Sequence, residues 1–114
     1  MTPLQLALKY MDIFYSEKDP SLLKDILHEN LIFDGPFVKF NSAKDYIDSL
    51  LEAPPKNMSF EIIESFENET SACLIYTFTK GEIKSKMSQL FKIKHGKISR
   101  ILLVFNTKDF EQNP

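Results

Sequence analysis

The chain is short of several residue types. Its 114 residues include no tryptophan, one cysteine, one arginine and three glycines. The single thiol, Cys73, can form no intramolecular disulfide and no cysteine-based metal site. With so few glycines there is no phosphate-cradling loop, and neither a dinucleotide-binding fingerprint nor a nucleophile-elbow motif occurs. No run of 18 apolar residues exists, so no helix is expected to cross a membrane. Met1-Thr2-Pro3-Leu4-Gln5 lacks the basic start and apolar stretch of a secretion signal, so the expectation is a cytoplasmic chain. The triplets starting at Asn57 and Asn68 match the glycosylation pattern and, without a secretion signal, are read as chance. The two histidines, His28 and His95, share no ligand-type spacing, so neither a metal nor a cofactor is expected.

What is present is phenylalanine. Ten Phe and four Tyr accompany a 43% hydrophobic, 26% charged composition that is ordinary for a globular chain. A chain of this size buries about two thirds of its unfolded surface, enough for one domain spanning 1–114. Phe brings apolar area without a polar group, so a Phe-rich core can line a dry cavity at little cost.

The net charge of −2 conceals an asymmetry. Residues 1–79 hold six lysines against thirteen acidic residues, net −7, whereas 80–100 hold six lysines and Arg100 against Glu82, net +6. A basic stretch can signal nucleic acid or a phosphorylated ligand. This one lacks the interleaved exposed aromatics of single-strand binders. It reads instead as a solvated strand face pairing with Glu61, Glu64 and Glu67, with no nucleic-acid partner.

Three helices are expected first. Thr2-Pro3-Leu4-Gln5 is a capping box with proline at the first helical position, and Leu4, Ala7, Leu8, Met11, Phe14 and Tyr15 share a helical face that should end near Glu17. Asp19-Pro20 opens a short second helix carrying Leu22, Leu23, Ile26 and Leu27, with His28 at its end. Leu31-Ile32-Phe33 reads as a short strand closed by Asp34-Gly35-Pro36. Ser42 then caps a third helix with Ala43, Tyr46, Ile47, Leu50 and Leu51 inward, and Pro54-Pro55 stops it. Strand-like segments follow at 57–67, 71–80, 83–94 and 98–106, with glycine supplying positive φ at the last two turns. In 83–94, Ile83, Ser85, Met87, Gln89, Phe91 and Ile93 should face a core and the lysine-rich alternates water. In 98–106 both faces are apolar, Ile101, Leu103 and Phe105 on one and Leu102 and Val104 on the other. A strand apolar on both faces needs a second cover, which predicts a homodimer through the sheet. Cys73, inside a strand, reads as a small buried hydrophobe.

The expected fold is therefore α+β. A cone-shaped, curved antiparallel sheet wraps around three N-terminal helices in the order α-α-β-α-β-β-β-β, and its inward residues define a pocket. This arrangement resembles the nuclear transport factor 2-like (NTF2-like) superfamily, which includes SnoaL-like polyketide cyclases and ketosteroid isomerases. The likeness is carried by Lys18-Asp19-Pro20, by Ile32-Phe33-Asp34-Gly35-Pro36 and by the hairpin Leu90-Phe91-Lys92-Ile93-Lys94-His95-Gly96-Lys97-Ile98. It covers nearly the whole chain.

The resemblance implies a site. Tyr10 precedes Asp34 by 24 residues, similar to the isomerases' tyrosine-to-base spacing, and Asp34 stands where those enzymes carry the catalytic base. Gln89 falls where they carry a protonated aspartic acid; an amide here can still donate, less strongly. The implied chemistry is proton abstraction next to a carbonyl. Asp34 would be the base, Tyr10 and Gln89 the enolate's partners, and Phe14, Phe33, Phe37, Met87, Phe91 and Phe105 the wall around a small apolar ligand. The same residues admit plainer roles: Asp34 as a turn residue, Tyr10 as core, Gln89 bonded internally. The alternative to an enzyme or binder is a non-catalytic dimerisation or interaction module with a side-chain-filled pocket. An epoxide hydrolase of similar fold needs an Asp–Arg–Asp set. Arg100, the only arginine, alternates out of phase with the inward residues of its strand, which argues against that activity.

Overall fold

The computed structural model describes residues 1–111. Helix α1 spans Pro3–Tyr15 and starts with the expected capping box: Thr2 Oγ1 accepts from the Gln5 amide at 3.1 Å, and Gln5 Oε1 accepts from the Thr2 amide at 2.9 Å. Its buried face is broader than the expected one, with Leu4, Phe14 and Tyr15 of the expected set packed against the core. Leu6, Ala7, Tyr10, Met11 and Ile13 are buried, whereas Leu8 is exposed. The helix packs against a concave sheet, so a wider arc is covered than a narrow apolar stripe suggests.

The second helix is a 3-10 turn, Pro20–Asp25, with the Asp19 carboxylate accepting from the Ser21 amide. It is cut short because strand β1 begins at Leu27, four residues earlier than the apolar run indicates, and runs to Asp34. The Ile98 amide donates to the Ile26 carbonyl at 2.8 Å, and Leu27 pairs with Ile98. That distant partner draws the chain into a strand where local preference favours helix. His28 accordingly lies in β1. A two-residue strand, β2 (Lys39–Phe40), pairs back on β1 before helix α2 (Ala43–Glu52), which Ser42 caps.

Strands β3 (Ser59–Glu67), β4 (Ser71–Lys80), β5 (Ile83–Lys94) and β6 (Lys97–Phe105) form the meander, and a 3-10 turn, Thr107–Phe110, follows. The spatial order is β2-β1-β6-β5-β4-β3. The sheet is curved, unclosed and mixed, not purely antiparallel, because β1 runs parallel to β6. The long connection through α2 and the meander makes that parallel return feasible. Register shifts at Ile63 in β3 and at Ser99 in β6 mark bulges, which bend strands and increase twist.

The concave side holds the core. Ala72, Leu74, Tyr76 and Phe78 alternate inward along β4, and Ser85, Met87, Gln89 and Phe91 along β5, packing against α1 and α2. On the convex side Phe66, Cys73, Leu90 and Leu102 oppose one another across four strands. Cys73 is half-buried there, its Sγ 3.6 Å from Ser88 Oγ, not a core residue. The acidic and basic strands do not pair as expected: β4 separates them, so that Glu61 opposes Thr77 and Thr77 opposes Lys86. Glu67 lies on the concave side and accepts from the Leu4 amide at 3.0 Å. The hairpin at His95-Gly96 places both residues at positive φ, as a two-residue turn requires. Among the described residues no helix is long and apolar enough to cross a membrane.

Candidate functional site

Between the helices and the concave side of the sheet lies a cavity of about 370 Å³. Four pieces of chain wall it. The end of α1 gives Phe14 and Tyr15; Phe33 and the segment 35–38 come from the end of β1; α2 gives Tyr46, Ser49 and Leu50; and Phe78, Met87, Leu103 and Phe105 project from β4–β6. Phe110, just beyond the sheet, completes the rim. Gly35 fits where a side chain does not, since a Cβ there would lie 3.2 Å from the Phe33 ring and 3.5 Å from the Val38 carbonyl. The described lining residues include no carboxylate, ammonium, guanidinium or imidazole group.

The polar groups sit at the base of this cavity. All four tyrosines of the chain gather there with Gln89. Tyr10 and Tyr46 share a buried hydroxyl–hydroxyl hydrogen bond. The Tyr76 hydroxyl donates to Gln89 Oε1 at 2.6 Å. Tyr15 lies against Phe60 and Phe14, with ring centroids 4.8 and 5.0 Å away, and faces Tyr76 at 6.3 Å. Alternation along β4 and β5 places Tyr76 and Gln89 inward, the i, i+3 spacing of α2 presents Tyr46, and α1 supplies Tyr10 and Tyr15. Burial is the main cause that pushes each phenol's pKa up. Tyr15 rises to about 12, and Tyr10, Tyr46 and Tyr76 rise well above the ordinary phenol value; neighbouring phenols add to the shift of Tyr10 and Tyr76, whereas the hydrogen bond from Tyr10 partly offsets that of Tyr46. At neutral pH the cluster is an uncharged set of donors and acceptors. Two phenols sharing one hydrogen bond use one of their two protons, so the Tyr10–Tyr46 pair keeps a second O–H to donate.

The predicted site residues divide. Tyr10 and Gln89 come together in the cluster behind the cavity, without lining it. Asp34 is not with them. Phe33 and Gly35 on either side of it line the cavity, so the Asp34 side chain turns to the other side of β1, in register with Leu102. There it stands 3.6 Å from Lys39 Nζ and is 34% exposed. The three residues do not converge, and the base expected at Asp34 is outside the cavity. Phe14, Phe33, Phe37, Met87 and Phe105 stand in the wall. Phe91 does not; it is fully buried behind the cavity, edge-on to Tyr10 at 5.4 Å. The sequence reading missed the cavity roles of Tyr15 and Tyr46, which their helical spacing marked only as core, and of Phe110, which lies beyond the last strand.

A second depression, about 540 Å³, lies outside the cone between the 3-10 turn, the start of β1 and α2. Its rim mixes Lys24, Lys44 and Lys97 with Glu29 and Asp48, and Lys44 is paired with Asp48 at 2.6 Å. With both signs present on an open surface, it offers no consistent ligand charge. Among the described residues no group of three or more His, Cys, Asp or Glu side chains is placed to hold a metal ion.

No protein-family model matches the chain, and no curated protein matches it significantly. Solved structures do. An NTF2-like protein of unknown function from Cytophaga hutchinsonii superposes with a TM-score of 0.81 at 23% identity, over 97% of this chain and 96% of that one. A proposed SnoaL-like polyketide cyclase from Jannaschia gives 0.80 at 7% identity, over 95% and 88%. A proposed ketosteroid isomerase from Kribbella flavida gives 0.73 at 16% identity, over 96% and 79%. At these identities the likeness is one of fold, and the fold hosts several activities.

Proposed function

We propose that this chain, which has the NTF2-like fold, binds a small apolar molecule carrying one hydrogen-bond acceptor, such as a carbonyl oxygen. The observation that carries this reading is a cavity walled by aromatic rings, floored by neutral phenols and free of charged groups among its described lining residues. A cavity of this volume suits a small ligand. Its apolar body would rest against Phe14, Phe33 and Phe105, and its acceptor would take the spare proton of the Tyr10–Tyr46 pair. Isomerase- or cyclase-type proton transfer needs a base on the cavity wall. With Asp34 turned outward, the geometry favours a binder over a catalyst.

The test is a titration of wild type and Tyr46→Phe with a matched pair of ligands, an apolar ketone and the corresponding hydrocarbon. The reading expects the ketone to bind more tightly, and Tyr46→Phe to weaken the ketone about fivefold to tenfold while leaving the hydrocarbon unchanged. Equal binding of the two ligands would remove the phenol floor from the account.

A second reading concerns assembly and rests on a separate observation. The apolar stripe Phe66, Cys73, Leu90 and Leu102, with Val104 beside it, crosses the convex face, and Val104 is 53% exposed. Glu61 and Glu64 border it at one corner, and Lys92 and Arg100 pair beside it on another side. A second copy of this chain would cover the stripe and offer each border the opposite charge. Light scattering of wild type should give a dimer mass, and Leu102→Asp a monomer mass. A monomeric wild type at high micromolar concentration contradicts this reading.

A further inference from the structure

We infer that the 3-10 turn Thr107–Phe110 is a latched lid over the cavity, closed by the hydrogen bond between Ser85 and Asp109; the inference rests on the binding role proposed above. Three observations support it. The turn is a self-contained unit: the Asn106 side chain accepts from the Lys108 amide, the Asp109 amide donates to the Asn106 carbonyl, and the Glu111 amide donates to the Lys108 carbonyl. It lies beyond the end of β6 and takes no part in the sheet, so moving it breaks no ladder bonds. The second observation is the ring it carries. Phe110 lines the cavity and packs on Phe105, Phe37 and Phe78, with centroids 4.9, 5.5 and 5.6 Å away. Phe37, on the loop after β1, is 60% exposed, so the Phe37–Phe110 contact lies where the cavity wall borders solvent.

The third observation is Ser85. It occupies an inward position of β5, in alternation with Met87, Gln89 and Phe91, and is only 3% exposed. A hydroxyl buried among apolar neighbours is costly unless it is bonded. Its recorded side-chain bond is to Asp109, donating to Oδ2 at 2.7 Å. A bond to a carboxylate is stronger than one between neutral groups. Ser85 is therefore a fixed anchor on the rigid sheet, and Asp109 a hook on the movable turn. Releasing the hook would withdraw Phe110 from the wall and open the cavity, at a smaller cost than disturbing the sheet. The latch governs how fast ligand enters and leaves, because the atoms touching a bound ligand are otherwise unchanged when the lid recloses.

The experiment uses the full chain and the fluorescent apolar probe N-phenyl-1-naphthylamine in stopped flow, with wild type, Ser85→Ala and Asp109→Asn. Association and dissociation rates should both rise, by about tenfold in Ser85→Ala, with Kd changed by less than about twofold. Hydrogen exchange at the Asp109 and Glu111 amides should accelerate in both variants, while amides within β4 and β5 keep their protection. Unchanged rates together with unchanged exchange at 109 and 111 overturn the latch and leave the binding reading standing. A weakened Kd with an unchanged association rate also overturns it, since Ser85 would then act on the bound state. Absence of probe binding to wild type overturns the binding reading and the gating with it.

Discussion

The two faces of strand β5 differ by one residue of phase, yet they are built on opposite principles. On the concave face, Met87 and Phe91 flank Gln89, whose amide oxygen accepts a hydrogen bond from the Tyr76 hydroxyl. Polar groups there are few, uncharged and partnered: among the described residues no buried side-chain nitrogen or oxygen lacks a hydrogen-bond partner. On the convex face, Leu90 sits among Lys84, Lys86, Ser88 and Lys92, apolar and charged groups side by side and open to solvent. Water tolerates such a mixture, whereas a closed interior requires every polar atom to be bonded. The concave face is accordingly the better candidate for recognising a ligand by one hydrogen bond, and the convex face for meeting another protein surface.

The largest effect expected from this contrast is on stability. Phe91→Ala removes a fully buried ring and should cost about 3–5 kcal/mol in urea unfolding, whereas Val104→Ala on the convex face should cost less than about 1 kcal/mol. Comparable losses would erase the distinction between the faces. Next comes the internal polar set. Tyr76→Phe keeps the ring but leaves the Gln89 oxygen without its donor, so about 1–3 kcal/mol should be lost, and Gln89→Leu should restore part of it. No loss in Tyr76→Phe means that water or another group satisfies Gln89.

The same cluster predicts a response to alkali. The folded-state pKa of each tyrosine is raised, so above pH about 10 the unfolded chain releases phenolic protons that the folded chain retains. Stability is then fully present below pH 10 and declines as pH rises through the Tyr15 value of about 12 and beyond. Chemical unfolding followed from pH 8 to 12 should show a plateau and then a fall, shallower in Tyr15→Phe. A flat profile contradicts the burial of the phenols. The smallest effect belongs to Asp34. It pairs with a solvent-exposed lysine on the outer side of β1, so Asp34→Asn should change stability by less than about 1 kcal/mol and leave ketone binding within about twofold. A large loss of binding would return Asp34 to the cavity.

Much of this architecture was legible in the chain. The Thr2–Gln5 box, the Ser42 cap, the two glycine turns and the alternation of 83–94 are local signals, and the structure follows them. What could not be read depends on distant partners. Leu27 opens a strand because Ile98 of β6 is alongside, and the parallel pairing of β1 is invisible to any local pattern. The site shows the same limit at finer grain. Phe33-Asp34-Gly35 announces a strand end, but which of the three faces inward is a one-residue phase that the pairing with β6 decides. That phase gives Phe33 to the cavity and Asp34 to the outside. Tyr46 and Tyr76 were hidden for another reason. A buried tyrosine fits an apolar pattern as well as phenylalanine does, and only the assembled core shows that their hydroxyls meet partners.

The central claim, that the concave cavity and not the convex stripe receives a small apolar ligand, is tested most directly by NMR contacts between the protein and saturating N-phenyl-1-naphthylamine. The account predicts saturable binding at one probe per chain, with intermolecular contacts to the rings of Phe14, Phe33 and Phe105. Contacts to Leu102 and Val104 in their place, or no saturable binding, would contradict it.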